Sequence, residues 1–469
     1  MNVVRYANLN SRVNLAPLAR IFGAISFFAF LGGCFSSTPT PSTPAPVISF
    51  TDLKNRVGQI RGLSLKRNIT IEATTSNDDA GASDKTLTEM DGPMVVTQLA
   101  RAYKRIGLLP ENTDFAKALA DYRRLDRIAY YEAERTRVVV RPEASSLGRA
   151  FSATNPRVAA EVPAIFGIVQ ALDEQHFQWQ ERIKSIALED RQLALRALAV
   201  GDATLVALTR VSGSKIPAVS PAMAETLGRL ASAVEKLASG LPDFLRWKLV
   251  FPYREGSQFV SWAHATKGWN GVNALFANPP LSTSQILHPE RYYVQRENPL
   301  RLYPWGLARR MKESAVVEQT LGEYLTRLLL STARSENEAA QIASGWQGDS
   351  LSAYQEGDRL VTAWISAWKT EKEAREFFRA YASVQERSHR IGWQESTNRN
   401  DNLQADISGG QSMVLQIRGP LVLLLDGLPL ARSLELAQET WKDLETDRES
   451  IAIPFDIAAG KIQLASRRR

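Results

Sequence analysis

A chain of 469 residues, 44% hydrophobic and 23% charged, is long enough to bury its own cores and lies far from the disordered, collagen-like and multi-span membrane classes. Its formal charge is +7, but Arg5, Arg12 and Arg20 precede Cys34 and no carboxylate does, so residues 34–469 carry only +4. Part of that mild excess sits in Arg467, Arg468 and Arg469, which read as a solvated tail rather than a nucleic-acid footprint.

At the N-terminus the arginines lead into an apolar run, Ile21 to Leu31, too short to span a bilayer comfortably and of the length of a signal-peptide core. It ends in Leu31-Gly32-Gly33-Cys34, which resembles the bacterial lipobox: an aliphatic residue, two small ones, and a cysteine whose thiol takes diacylglycerol. The resemblance implies a signal peptide over 1–33, lipidation of Cys34, and a tether over 34–49, a stretch rich in Pro, Ser and Thr that stays extended. Phe35 and Ser36 carry no Asp retention signal, so the expected location is the cell envelope, anchored to the outer membrane and facing the periplasm. Cys34 is the only cysteine, which excludes an internal disulfide and a cysteine-rich zinc site.

Next come a helix around Thr51 to Arg61, a β-rich run Ile69 to Ala73, and a polar insert Ser76 to Ser83. Helical spacing resumes at Met94 to Ile106 and Phe115 to Leu125. Ile128 to Tyr131 and Arg137 to Val140, split by a charged turn, predict a β-hairpin. Four long helices are expected over Val162 to Trp179, Leu188 to Thr209, Met223 to Ala238 and Phe244 to Ala265, then a loop from Ala277 to Pro289. A second unit reads helix (Val317 to Ser331), helix (Glu336 to Ala343), strand (Arg359 to Ala367), helix (Glu371 to Glu386), strand or strands (Leu403 to Leu424) and helix (Leu430 to Leu444). The expected class is α+β, mainly helical, with an N-terminal hairpin or small sheet. The expected units are 50–310, a C-terminal α+β unit over 311–460, and a basic tail over 461–469.

The segment Ile165-Phe166-Gly167-Ile168-Val169-Gln170-Ala171-Leu172-Asp173-Glu174-Gln175-His176-Phe177 resembles the zinc-binding helix of small gluzincin-type metallopeptidase domains of bacterial lipoproteins and secreted proteins, where HExxH is followed by A-L-x-D-Q-H-F. Val200-Gly201-Asp202-Ala203 is similar to their E-G-D-A string, which supplies a third ligand. Arg61-Gly62-Leu63, Leu249 to Tyr253, Gly268-Trp269 with Asn273, Pro279 to Pro289, and Gly345-Trp346 with Gly348-Asp349 extend the likeness over most of the chain. The resemblance implies a gluzincin-like helical core. Yet Phe166 and Gln170 stand at the histidine positions, Gly167 at the glutamate base and Val200 at the third ligand. HExxH works because two histidines four apart reach one Zn²⁺ while the glutamate polarises its water, so what remains predicts no metal, no cofactor and no catalytic residue.

If activity persists on relocated ligands, Asp173, His176 and Asp202 are the candidates. His176 is read first as a structural imidazole bonded to a backbone group, and His288, before Pro289, as a turn organiser. No G-x-S-x-G elbow and no glycine-rich phosphate loop occurs. The main expectation is therefore a membrane-anchored lipoprotein whose dead peptidase scaffold binds a protein, peptide or envelope component, an extended chain pairing along the Ile128 to Val140 hairpin. The rival expectations are an active peptidase with relocated ligands and a purely structural envelope lipoprotein.

Overall fold

Helix α1 (Phe50–Arg61) starts where Ser49 accepts the N–H of Asp52, and it stops at Gly62, whose φ of 71° lies in the left-handed region. The computed structural model describes residues 49–74, 92–152, 155–213, 221–311, 314–395, 401–407, 409–448, 455–456 and 461–462. Cys34, the signal segment, the tether up to residue 48, the insert Ser76 to Ser83 and residues 463–469 lie outside the described residues. Strand β1 (Thr70–Ala73) precedes α2 (Gly92–Arg105) and α3 (Phe115–Asp126), the latter capped by Asp114. β2 (Ala129–Glu132) and β3 (Arg137–Val140) form an antiparallel hairpin, and β1 pairs with β3 in parallel, giving the order β1-β3-β2.

Against this sheet stands α5 (Val162–Phe177), and around it lie α4 (Ser145–Phe151), α6 (Glu189–Ser212), α7 (Pro221–Leu237), α8 (Asp243–Phe251) and α9 (Ser257–Ala277). By length and hydropathy α6 could cross a membrane, but 78% of its apolar window is buried inside the fold, where it serves as the central core helix. It lies backbone to backbone against the turn Pro252–Gly256: a Cβ on Gly201 would sit 2.4 Å from Gly256 O. The helix expected over Phe244 to Ala265 is interrupted there. Pro252 has no N–H to donate, and the chain makes a π-helical turn before α9 begins. The loop expected from Ala277 to Pro289 contains a helical turn, Thr283–Leu287.

The C-terminal part contains β4 (Leu300–Pro304), β5 (Val317–Gln319), α10 (Gly322–Leu330), α11 (Glu336–Ala343), β6 (Trp346–Glu356), β7 (Arg359–Trp368), α12 (Glu371–His389) and β8 (Gln394–Glu395). It continues with β9 (Asn402–Ile407), β10 (Gln411–Arg418), β11 (Leu421–Leu428), α13 (Leu430–Lys442) and β12 (Leu444–Arg448), which pairs with β4. The large sheet is antiparallel in the order β5-β6-β7-β11-β10-β9-β8. β7 is buried from Leu360 to Trp368, Thr362 and Ser366 included, because both its faces are covered. Trp364 and Trp368 meet Phe377 of α12, whereas Val361, Ala363, Ile365 and Ala367 join Leu436 and Ala437 of α13.

The helix expected from Val317 begins only at Gly322, whose φ of 70° turns the chain out of β5. β6 was not expected, and the stretch Leu403 to Leu424 divides among three strands. The class is α+β and mainly helical. One apolar cluster runs from Leu53 to Leu424, so residues on either side of position 310 share a core.

Candidate functional site

Helix α5 carries the residues that the resemblance singled out, and its first half is packed shut. Phe166 is 2% exposed and its ring lies 5.9 Å from that of Tyr253, whose hydroxyl is pushed up to about 12 by burial and is therefore neutral at ordinary pH. At Gly167 a Cβ would come within 2.2 Å of Val138 Cγ1, so the helix rests directly on the β3 side chain. Gln170 donates from Nε2 to Ala129 O (3.0 Å) and accepts the Tyr131 N–H at Oε1 (3.3 Å). Gln180 Nε2 adds a bond to Tyr131 O (2.9 Å). These amides occupy the outer edge of β2, which corrects the expectation that the hairpin offers that edge to an added strand. Val200, half-buried on α6, packs against the apolar core.

An aromatic ring, a glycine, a carboxamide spent on strand backbone and a valine do not make a zinc site. Among the described residues no group of three or more His, Cys, Asp and Glu side chains is placed to hold a metal ion.

The second half of α5 is more polar, and its carboxylate Asp173 is buried. Asp173 is 1% exposed and Asp202, from α6, is fully buried. Arg61, fully buried at the end of α1, donates from Nε to Asp202 Oδ2 (2.7 Å) and from Nη1 to Asn273 Oδ1 (2.7 Å). Its guanidinium lies 4.9 Å from the Trp269 ring centre. Burial, then the neighbouring charge of Asp202, holds the Asp173 carboxyl well above the usual range, with Arg61 opposing. Asp202 is raised by burial against the pull of Arg61. The arrangement sets two buried carboxyls against one guanidinium, which is bonded to Asp202. His176 Nε2 bonds Ser64 O at 2.7 Å, and His264 stands edge-on to Trp269 with ring centres 4.7 Å apart. Of the three fallback candidates, Asp173 and Asp202 are brought together and His176 is engaged elsewhere.

The other motifs of the resemblance also resolve into internal ties. Asp349 accepts four donors: the N–H groups of Leu321 (2.8 Å) and Gly322 (2.9 Å) and the indoles of Trp346 and Trp364 (3.0 Å each). Asp190 takes the N–H and hydroxyl of Thr283. Glu323 takes His288 Nε2 (2.6 Å) and Arg291 Nη1 (3.0 Å), so His288 ties its turn to α10. Sequence reasoning missed the partners of Arg61 and Asp349, because nothing local marks a pair such as Arg61 and Asp202, 141 residues apart.

Several depressions mark the surface. A cavity of about 720 Å³ lies beside the turn after α2 and is walled by α8, α10 and α12. Its cations are already engaged: Lys104 by Glu111 O, Arg254 by Glu255, Arg327 by Glu336 and Arg387 by Thr332 O. A more apolar groove of about 530 Å³ lies beside β1.

A family profile described as a domain of unknown function (DUF8575) matches residues 309–435. That stretch holds the seven-stranded sheet and most of its covering helices, and it lies outside residues 166–202. No curated protein matches the chain. No solved structure matches it.

Proposed function

We propose that the chain is a membrane-anchored lipoprotein of the bacterial envelope whose degenerate metallopeptidase-like scaffold binds a protein, peptide or envelope component and does no chemistry. The observation that carries the non-catalytic part is the use now made of the ligand positions: Phe166 is packed on Tyr253, Gly167 on Val138, and Gln170 is bonded to the backbone of β2. The anchor rests on the sequence around Cys34, with two or more acyl chains needed for stable attachment.

The full-length protein, purified in detergent without added zinc, should carry no stoichiometric metal. It should melt at one temperature with and without a strong chelator, since no metal-binding energy is coupled to folding. Stoichiometric zinc, or proteolysis of an unfolded substrate that chelator abolishes, overturns the proposal. Cys34→Ala should yield an uncleaved precursor that takes up no fatty acid; a cleaved and labelled variant removes the anchor from the reading.

A further inference from the structure

The small sheet has two edges, and they differ. Carboxamides close the β2 edge. At β1 the N–H groups of Thr70 and Thr74 turn inward, to Thr136 O (3.2 Å) and Val140 O (3.0 Å). Backbone groups alternate in direction along a strand, so Ile71 and Ala73 present theirs outward. Ile69 O accepts Lys54 Nζ at 2.9 Å, which ends the open stretch on that side.

The side chains of Ile71 and Ala73 share one face of the sheet. With Phe50, Pro163 and Ala164 they line the 530 Å³ groove, so alternate side chains of a strand added to β1 would drop into it. Arg141 and Arg149 line the same groove, and among its described lining residues there is no carboxylate. Arg149 is exposed and hydrogen-bonds Ser145 Oγ (3.1 Å).

We infer that the outer edge of β1, with the groove beside it, takes an extended peptide that carries apolar side chains and a carboxylate. Main-chain pairing supplies the affinity, the groove selects alternate apolar side chains, and the exposed Arg149 selects the anion. The inference rests on the binding reading above and places the ligand on the opposite edge of the sheet from Gln170.

The test uses the full-length protein in detergent micelles and a fluorescein-labelled hexapeptide of alternating valine and threonine, made with a free C-terminal carboxylate or as its amide. Anisotropy should show saturable binding of the acid. Ala73→Pro removes an outward N–H at a position where an edge strand tolerates proline, and should weaken binding about tenfold. Arg149→Ala should weaken the acid and leave the amide unchanged. Ala160→Trp, on the exposed rim, blocks the groove without touching the strand and should abolish binding, with a melting temperature equal to that of the unsubstituted protein. Equal binding in Ala73→Pro and Ala160→Trp overturns the inference and leaves the binding reading standing. So does competition by a single-chain anionic detergent but not by unlabelled peptide. Absence of saturable binding overturns the inference. Chelator-sensitive cleavage of the peptide overturns the non-catalytic reading itself.

Discussion

The two halves of α5 are held in place by opposite means. Around Phe166 and Gly167 the helix is held by close apolar fit, which stores its stability in contacts that protonation does not alter. Around Asp173 it is held by a buried polar cluster in which the charges of Asp202 and Arg61 are each tolerable only because the other is present, and Asp173 is raised beside them. The difference teaches where the fold is brittle. Removing atoms from the first half leaves a cavity; removing a partner from the second leaves an uncompensated buried charge. The largest expected effect therefore belongs to Arg61→Ala, which should cost about 3–5 kcal/mol in denaturant unfolding. Arg61→Met combined with Asp202→Asn should cost clearly less than the two single changes added together, because they share one interaction. Additive costs would break the comparison by showing that the cluster is not a unit.

Two further buried carboxyls, Asp349 and Asp426, are both raised by burial but differ in how many donors oppose it. Asp349 has four donors. Asp426 on β11, 1% exposed, has Arg105 Nε at 3.4 Å and the Gly427 backbone N–H opposing its burial, with Glu111 and Tyr381 as further titratable neighbours. Burial raises its carboxyl to about 6, with Arg105 opposing. The folded chain thus holds this proton more tightly than the unfolded chain. The stability it confers is complete below about pH 4 and is lost as pH rises through about 6, a swing of roughly 3 kcal/mol. Asp426→Asn should gain on the unsubstituted protein by that amount between pH 4 and pH 7. A stability difference that stays flat across that window would show that Asp426 is ionised in both states.

How much of this was legible in sequence divides along the same line. Helical spacing of apolar residues located α5 and α6, and two β-rich runs split by a charged turn located the β2–β3 hairpin. β7 was legible as an apolar run bounded by charge. β6 was not: Gly345 to Asp349 reads as a string of special residues, and its register with β7 shifts near Gly348. The start of α10 was misplaced because its first N–H groups are satisfied by Asp349, a carboxylate that lies later in the chain, rather than by a local cap. The positions of Phe166, Gly167, Gln170 and Val200 could be singled out by resemblance, but what they do could not. That Gln170 serves the edge of β2 depends on a contact across 39 to 41 residues, and that Gly167 admits no side chain depends on Val138.

The smallest effect gives the sharpest test of the apolar half. In the interior of a helix, Gly→Ala ordinarily stabilises by up to about 1 kcal/mol, because alanine restricts the unfolded chain and glycine does not. At Gly167 the sign should reverse. The added methyl would stand 2.2 Å from Val138 Cγ1 and 3.3 Å from its Cβ and Cγ2, so either β3 must move or the helix must lift from the sheet. Overpacking of this kind costs about 1–3 kcal/mol, which outweighs the propensity gain. Gly167→Ala should therefore lower stability by about 1–2 kcal/mol in urea. Val138→Ala made alongside it should recover part of that loss, since the two changes meet at one contact. The same crowding stands against restoring a glutamate at this position, where the longer side chain would have to pass Val138 before reaching any metal. If Gly167→Ala stabilises the protein, the helix does not rest on the hairpin, and the space in front of α5 is open after all.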